Sequence, residues 1–282
     1  MLNRAHELDD LEDRPTDARR FYDIATGKLV RTDVKLSEWL LFLENTVAPK
    51  TRDMRAAAIR KLAAEFPYLS EINRVAVTAW SRSLLAQGTS AATAQRLLSD
   101  CRAYWIYLQS IGEVSEETNP FSNIKLAHTA KRVRQIASLE RQAFSSEAVA
   151  GLLTASESDQ QLSDLIALGM WTGARIEEIC SLKLKDVDLN SGVISIPEAK
   201  TSAGRREIPI HSALSPVLIR LFDDSVDGFV LSGLTSDKYG NRSGAIGKRF
   251  GRLKKAHGYD EKFVFHSIRK TVATQLENAG VP

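Results

Sequence analysis

The feature that most constrains this fold is a change of hydrophobic period. Over most of the chain, apolar residues recur every three or four positions, the spacing of amphipathic helices. Val193-Ile194-Ser195-Ile196 and Arg206-Glu207-Ile208-Pro209-Ile210 alternate instead. These runs flank Glu198-Ala199-Lys200-Thr201-Ser202-Ala203-Gly204 and predict a β-hairpin with an exposed basic loop or edge, after a short strand at Val187 to Leu189. A hairpin set among helices predicts a mainly α protein with a small antiparallel β-sheet, an α+β fold.

With 282 residues the chain can form two domains, each with its own core. No apolar run approaches the roughly 20 residues that span a bilayer. The N-terminus, with His6-Glu7-Leu8-Asp9-Asp10, is too acidic for a secretory signal, so a cytoplasmic protein without a membrane partner is expected. Cys101 and Cys180 sit in apolar helical patterns without metal-ligand spacing and read as buried free thiols; no metal site is predicted. The formal charge of +3 says little about partners, so the distribution of charge matters more.

Residues 1–31 form a charged arm whose acids, Glu7, Asp9, Asp10, Glu12 and Asp13, argue against DNA contact. A helix follows from Leu36, with Ser37 as its cap and Trp39, Leu40, Phe42 and Leu43 as its apolar face. Pro49 starts a basic helix to Glu65 that carries Arg52 and Arg55, and further helices are expected at about Arg74–Ala86 and from Thr89 or Ser90 to near Gly112. These helices define an all-helical domain at 32–121. The segment 122–143 holds Lys125, Lys131, Arg132, Arg134 and Arg141 against the single acid Glu140; it suits a linker lying against phosphates as well as one merely solvated.

The remaining domain, 144–282, contains three cationic features. Thr172-Gly173-Ala174-Arg175 joins an apolar helix, with Leu162, Leu165, Ile166 and Met170 on one stripe, to a second helix on which Arg175 and Glu178 share a face. Gly173 permits a tight turn that holds Arg175 in place. Between Gly244 and His257, Ile246, Phe250 and Leu253 line one side of a helix and Lys248, Arg252 and Lys255 the other, with Arg249 and Lys254 at the edges and no acid between. Five such cations favour a polyanion. In the last helix Ile268, Val272 and Leu276 are expected to be buried, while His266 and Arg269 share another face. Arg175, Lys200, His266 and Arg269 form a set able to neutralise a phosphodiester and donate a proton to its leaving oxygen.

Thr172 to Ile179, followed by Leu182 and Val187-Asp188, resembles the first arginine box of the tyrosine recombinases, the phage integrase family. Lys200-Thr201 before Arg206 to Ile210 is similar to the family's hairpin lysine, and His266-Ser267-Ile268-Arg269 to its His-x-x-Arg box. The resemblance covers about residues 32–282. It implies a helical, SAM-like core-binding domain followed by a catalytic domain. The implied reaction on double-stranded DNA forms a 3′-phosphotyrosyl bond without metal or nucleotide cofactor. Arg175 and Arg269 would then clamp the scissile phosphate, Lys200 would protonate the leaving 5′-oxygen, His266 would assist proton transfer and Glu178 would orient its neighbours.

One departure stands against the match: the family's nucleophilic tyrosine follows the His-x-x-Arg helix, whereas Tyr22, Tyr68, Tyr104, Tyr107, Tyr239 and Tyr259 all precede Arg269. The expectation is a shortened form of a longer recombinase, able to bind DNA but not to cleave it. The full-length protein would act as a homotetramer and this chain would be a monomer in isolation. The alternative is a non-catalytic relative that occupies or blocks recombination sites. DNA contacts are expected from Arg52, Arg55, Lys131, Arg132, Arg134, Lys248, Arg249, Arg252 and Lys255.

Overall fold

The computed structural model describes residues 23, 29–124, 126, 141–197 and 205–281. Most of the arm at 1–31 lies outside the described residues, as do Lys131, Arg132 and Arg134 of the linker and Lys200 of the hairpin loop. The chain divides into two compact units, Met1–Ala130 and Lys131–Pro282.

The first unit is helical: α1 (Leu36–Phe42), α2 (Pro49–Glu65), α3 (Arg74–Ala86) and α4 (Ala91–Ser110). Local chemistry sets the ends. Pro49 occupies the first turn of α2, where no amide is needed. Asn73 Oδ1 accepts the Ala76 N–H at 3.0 Å and Ser90 Oγ that of Thr93 at 3.1 Å, capping α3 and α4. Trp39, Ile59, Leu62, Val77, Leu84, Leu98 and Leu108 fill the core. Buried Tyr104 keeps its polar end satisfied by donating to the Thr32 carbonyl at 3.0 Å. Two expectations for α1 fail. Ser37 lies inside the helix, whose cap position is Lys35, and Phe42 is 64% exposed. The 3.6-residue period places Leu36, Trp39 and Leu43 inward and turns Phe42 out, where its ring meets Tyr107.

The second unit contains α5 (Ser146–Ala155), α6 (Gln160–Thr172), α7 (Ile176–Cys180), strands β1 (Val187–Asp188), β2 (Val193–Ile196) and β3 (Arg206–Pro209), then α8 (Ser215–Asp224), α9 (Ser243–Ala256) and α10 (Phe265–Asn278). The sheet is antiparallel in the order β1-β2-β3, with Ile194 opposite Ile208 and Ile196 opposite Arg206. Alternation buries Ile194 and Ile196. β1 ends before Leu189 because Asp188 Oδ1 accepts the N–H groups of Asn190 and Ser191 in a turn.

Helix α6 is central to this core, with Leu165 and Ile166 fully buried. Helix α10 crosses it closely at Gly169: a Cβ there would lie 2.7 Å from Cζ of Phe265. Phe265 and Ile268 of α10 are buried, but Leu276 is 47% exposed, against expectation, because it lies on a late turn of α10 whose residues are exposed. Cys101 and Cys180 are free and buried; burial raises both thiols, that of Cys180 to about 12. Among the described residues no helix is long and apolar enough to cross a membrane.

Candidate functional site

The site is built on the turn between α6 and α7. Gly173 ends α6 in the left-handed region, φ 59° and ψ 16°, and its N–H returns to the Gly169 carbonyl at 3.0 Å. Thr172 Oγ1 accepts the Ala174 N–H at 3.1 Å, so the turn is bonded on both sides of the glycine. The next residue, Arg175, is extended and caps α7.

Three bonds then fix Glu178, one turn on. Its Oε2 accepts the backbone N–H of Arg175 at 2.8 Å and Nη2 of Arg206 at 2.8 Å, while Oε1 accepts Nη1 of Arg175 at 2.6 Å. The Glu178 side chain is only 7% exposed, whereas that of Arg175 is 50% exposed. Burial opposes ionisation of Glu178, but the hydrogen bonds from Arg206 and Arg175 outweigh it and hold the carboxyl at about 2.

Arg269 arrives from α10 and donates Nη1 to the Gly173 carbonyl at 2.6 Å. One glycine turn therefore places both arginines, Arg175 two residues after it and Arg269 through its carbonyl. Desolvation, then Arg206 and Arg175, lower the proton affinity of Arg269, with Glu178 opposing. His266 lies three residues before it, exposed on α10. Partial desolvation of its ring, then Arg269, Arg175 and Lys270, push its pKa below the ordinary imidazole value, which favours the neutral ring at pH 7. Arg175, Glu178, Arg206, His266 and Arg269 are thus electrostatic neighbours, and three guanidiniums with one carboxylate leave a surplus of positive charge suited to an anion.

Lys248, Arg252 and Lys255 are exposed on α9, opposite buried Ile246 and Phe250. Arg249 differs from the expectation of an unpartnered cation. Its Nε donates to Asp159 Oδ2 at 2.8 Å and its Nη1 to Gln161 at 2.7 Å, because packing brings the start of α6 against α9. Lys254 likewise donates to the Asp260 carbonyl. In the first unit Arg52 pairs with Glu44 at 2.9 Å, and Arg55 lies over the Trp39 ring with its Nε 3.6 Å from Asp100.

Three contributors escaped the sequence reading. Glu177 accepts the N–H groups of Arg242 at 2.7 Å and Ser243 at 3.0 Å, placing a carboxylate at the start of α9. Arg242 is buried over Phe229, donating to the carbonyls of Cys180 and Leu231 and to Asp227. The adjacent Glu177 and Glu178 therefore serve α9 and the arginine cluster respectively. Arg206 is the third. Alternation along β3 puts it on the same face as Ile208, a signal that could have marked it as inward-facing.

Residues 142–282 match the family model described as the phage integrase family. The tyrosine recombinase XerC of Xanthomonas axonopodis pv. citri (strain 306) is 26% identical over 200 residues, 69% of this chain and 62% of the relative. XerC of Halalkalibacterium halodurans is 26% identical over 274 residues, 89% of this chain and 86% of the relative. The chain thus spans less than two thirds of the Xanthomonas relative's length. Among solved structures, the Tn1549 transposon integrase in complex with a circular intermediate DNA superposes with a TM-score of 0.68 at 20% identity, covering 90% of this chain and 89% of that one. A lambda integrase tetramer bound to a Holliday junction gives 0.69 at 19% identity, covering 88% and 73%. At these identities the structural likeness establishes the fold.

Proposed function

The chain belongs to the phage integrase family, and from that premise we propose that it is a site-specific recombinase whose site handles a DNA phosphodiester through a 3′-phosphotyrosyl intermediate. The observation that carries this reading is the placing of Arg175 and Arg269 by one turn, with Arg175 half exposed and the cluster's positive charge in excess. Paired guanidinium forks match the non-bridging oxygens of a phosphate and stay charged as negative charge grows on them. Neutral His266 can accept or donate a proton at that phosphate. Lys200, on the segment joining β2 to β3, is assigned protonation of the leaving 5′-oxygen. Glu178 orients Arg175.

Lys248, Arg252 and Lys255 on α9, with Lys131, Arg132 and Arg134 of the linker, are assigned to the DNA backbone. Arg55 and Arg249 hold helices in place through Asp100 and Asp159, and Arg52 through Glu44 leans the same way. Residues 32–121 serve as the core-binding domain and 144–282 as the catalytic domain, in a cytoplasmic protein. The attacking tyrosine of this reaction belongs after Arg269, and residues 270–282 hold none, so the residues described supply the phosphate clamp and the DNA contacts, with a homotetramer on DNA as the proposed working state.

The test is duplex DNA binding against salt. Neutralising three to six phosphates gives a log-log slope of about −3 to −5. Arg175→Lys leaves this binding nearly intact. Affinity that does not change with salt overturns the proposal.

A further inference from the structure

Arg206 is absent from the set drawn from the sequence, yet it makes one of the three hydrogen bonds to Glu178. A glutamate carboxyl rotates broadly about its last torsion, so its hydrogen-bond partners set its plane and the place where it is anchored. Here Oε1 is taken by Arg175 Nη1, and Oε2 by both the Arg175 amide and Arg206 Nη2. The Arg206 side chain is 24% exposed against 50% for Arg175, so Arg175 is the more open fork and Arg206 the inner support. Arg206 is also the first residue of β3, paired with Ile196 across the sheet, and the residues joining these two strands include Lys200.

We propose that Arg206 is a positioning residue: acting through Glu178, it fixes the orientation of Arg175 and fastens the base of the β2–β3 hairpin to the phosphate cluster. This rests on the phosphate reading above. It makes Glu178 a joint between two chain segments, so the arginine on α7 and the strand leading from the lysine segment share one carboxylate. Without Arg206 the carboxylate keeps its two bonds from Arg175, one on each oxygen, but loses its tie to β3; carboxylate and fork can then shift together, and Arg175 no longer meets a bound anion in a single orientation.

Inorganic phosphate serves as the probe, titrated calorimetrically into the 282-residue chain. Arg175→Ala defines the part of the affinity that belongs to the cluster. Arg206→Gln, which removes the charge and shortens the side chain but keeps an amide donor group, should weaken that part by about fivefold in the wild-type background. In a Glu178→Gln background the same change should weaken it less than twofold, because the carboxylate through which Arg206 acts is already gone. The Glu178 carboxyl, followed by carbon-13 NMR, should titrate above about 2 in Arg206→Gln. Equal losses in both backgrounds overturn the inference, since Arg206 would then contact the anion itself. So does an intact affinity in Arg206→Gln while Arg175→Ala loses it. An affinity unchanged in Arg175→Ala overturns the phosphate reading and the role of Arg206 with it. Thermal melting of each variant establishes that the fold is retained.

Discussion

Replacing Glu178 by Gln should remove a pH-dependent share of the stability of the second unit. The folded carboxyl is held at about 2 against an ordinary 4.5, which corresponds to about 3 kcal/mol at 1.36 kcal/mol per pKa unit. One of its partners, Arg175, is half exposed and partly screened by solvent, so about 2 kcal/mol is expected. The sign follows from linkage. A carboxyl depressed on folding stabilises the protein above its unfolded pKa, and the stabilisation is lost as pH falls from about 4.5 towards about 2. Urea unfolding of wild type and Glu178→Gln between pH 2 and 7 should therefore show a gap of about 2 kcal/mol at neutral pH that closes by about pH 2. Taking the difference cancels the other carboxylates that titrate in this range. A gap that stays constant over the whole range would refute the argument, because the lost contacts would then owe nothing to the ionised carboxylate.

The turn and the anchors allow further tests. Gly173→Ala forces a Cβ into the left-handed region, 3.1 Å from Val272 Cγ1, and should cost about 1–2 kcal/mol in chemical denaturation. The same variant should weaken phosphate binding, since the Gly173 carbonyl holds Arg269. Arg242→Ala leaves Asp227 and the Cys180 and Leu231 carbonyls without a donor they now have, so a loss of about 3 kcal/mol is expected in urea unfolding. His266 should titrate by NMR below the ordinary imidazole value in the free protein; Arg175→Ala or added phosphate should raise it, since each makes the imidazolium less unfavourable.

Much of the fold was legible because helices and hairpins are written at short range. Periodicity marked the Arg74–Ala86 helix at its bounds, the change to alternation marked β2 and β3, and of the two candidate caps Thr89 and Ser90 the second starts its helix. Where the apolar residues misled, at Phe42 and Leu276, the neighbouring elements leave the side chain largely uncovered, and that depends on packing. Arg175 and Glu178, and likewise His266 and Arg269, could be paired on the page because three residues along a helix are neighbours in space.

What the sequence determined by itself was therefore which residues share a turn of helix or a face of strand. The tertiary structure alone decided which of these meet across the chain: Glu178 with Arg206, 28 residues apart, Arg269 with the Gly173 carbonyl, 96 apart, and Arg249 with Asp159, 90 apart. The reason is physical. Helix and strand geometry relate near neighbours through fixed dihedral angles, whereas a distant ion pair depends on how whole elements pack, and charge patterns carry no record of that packing.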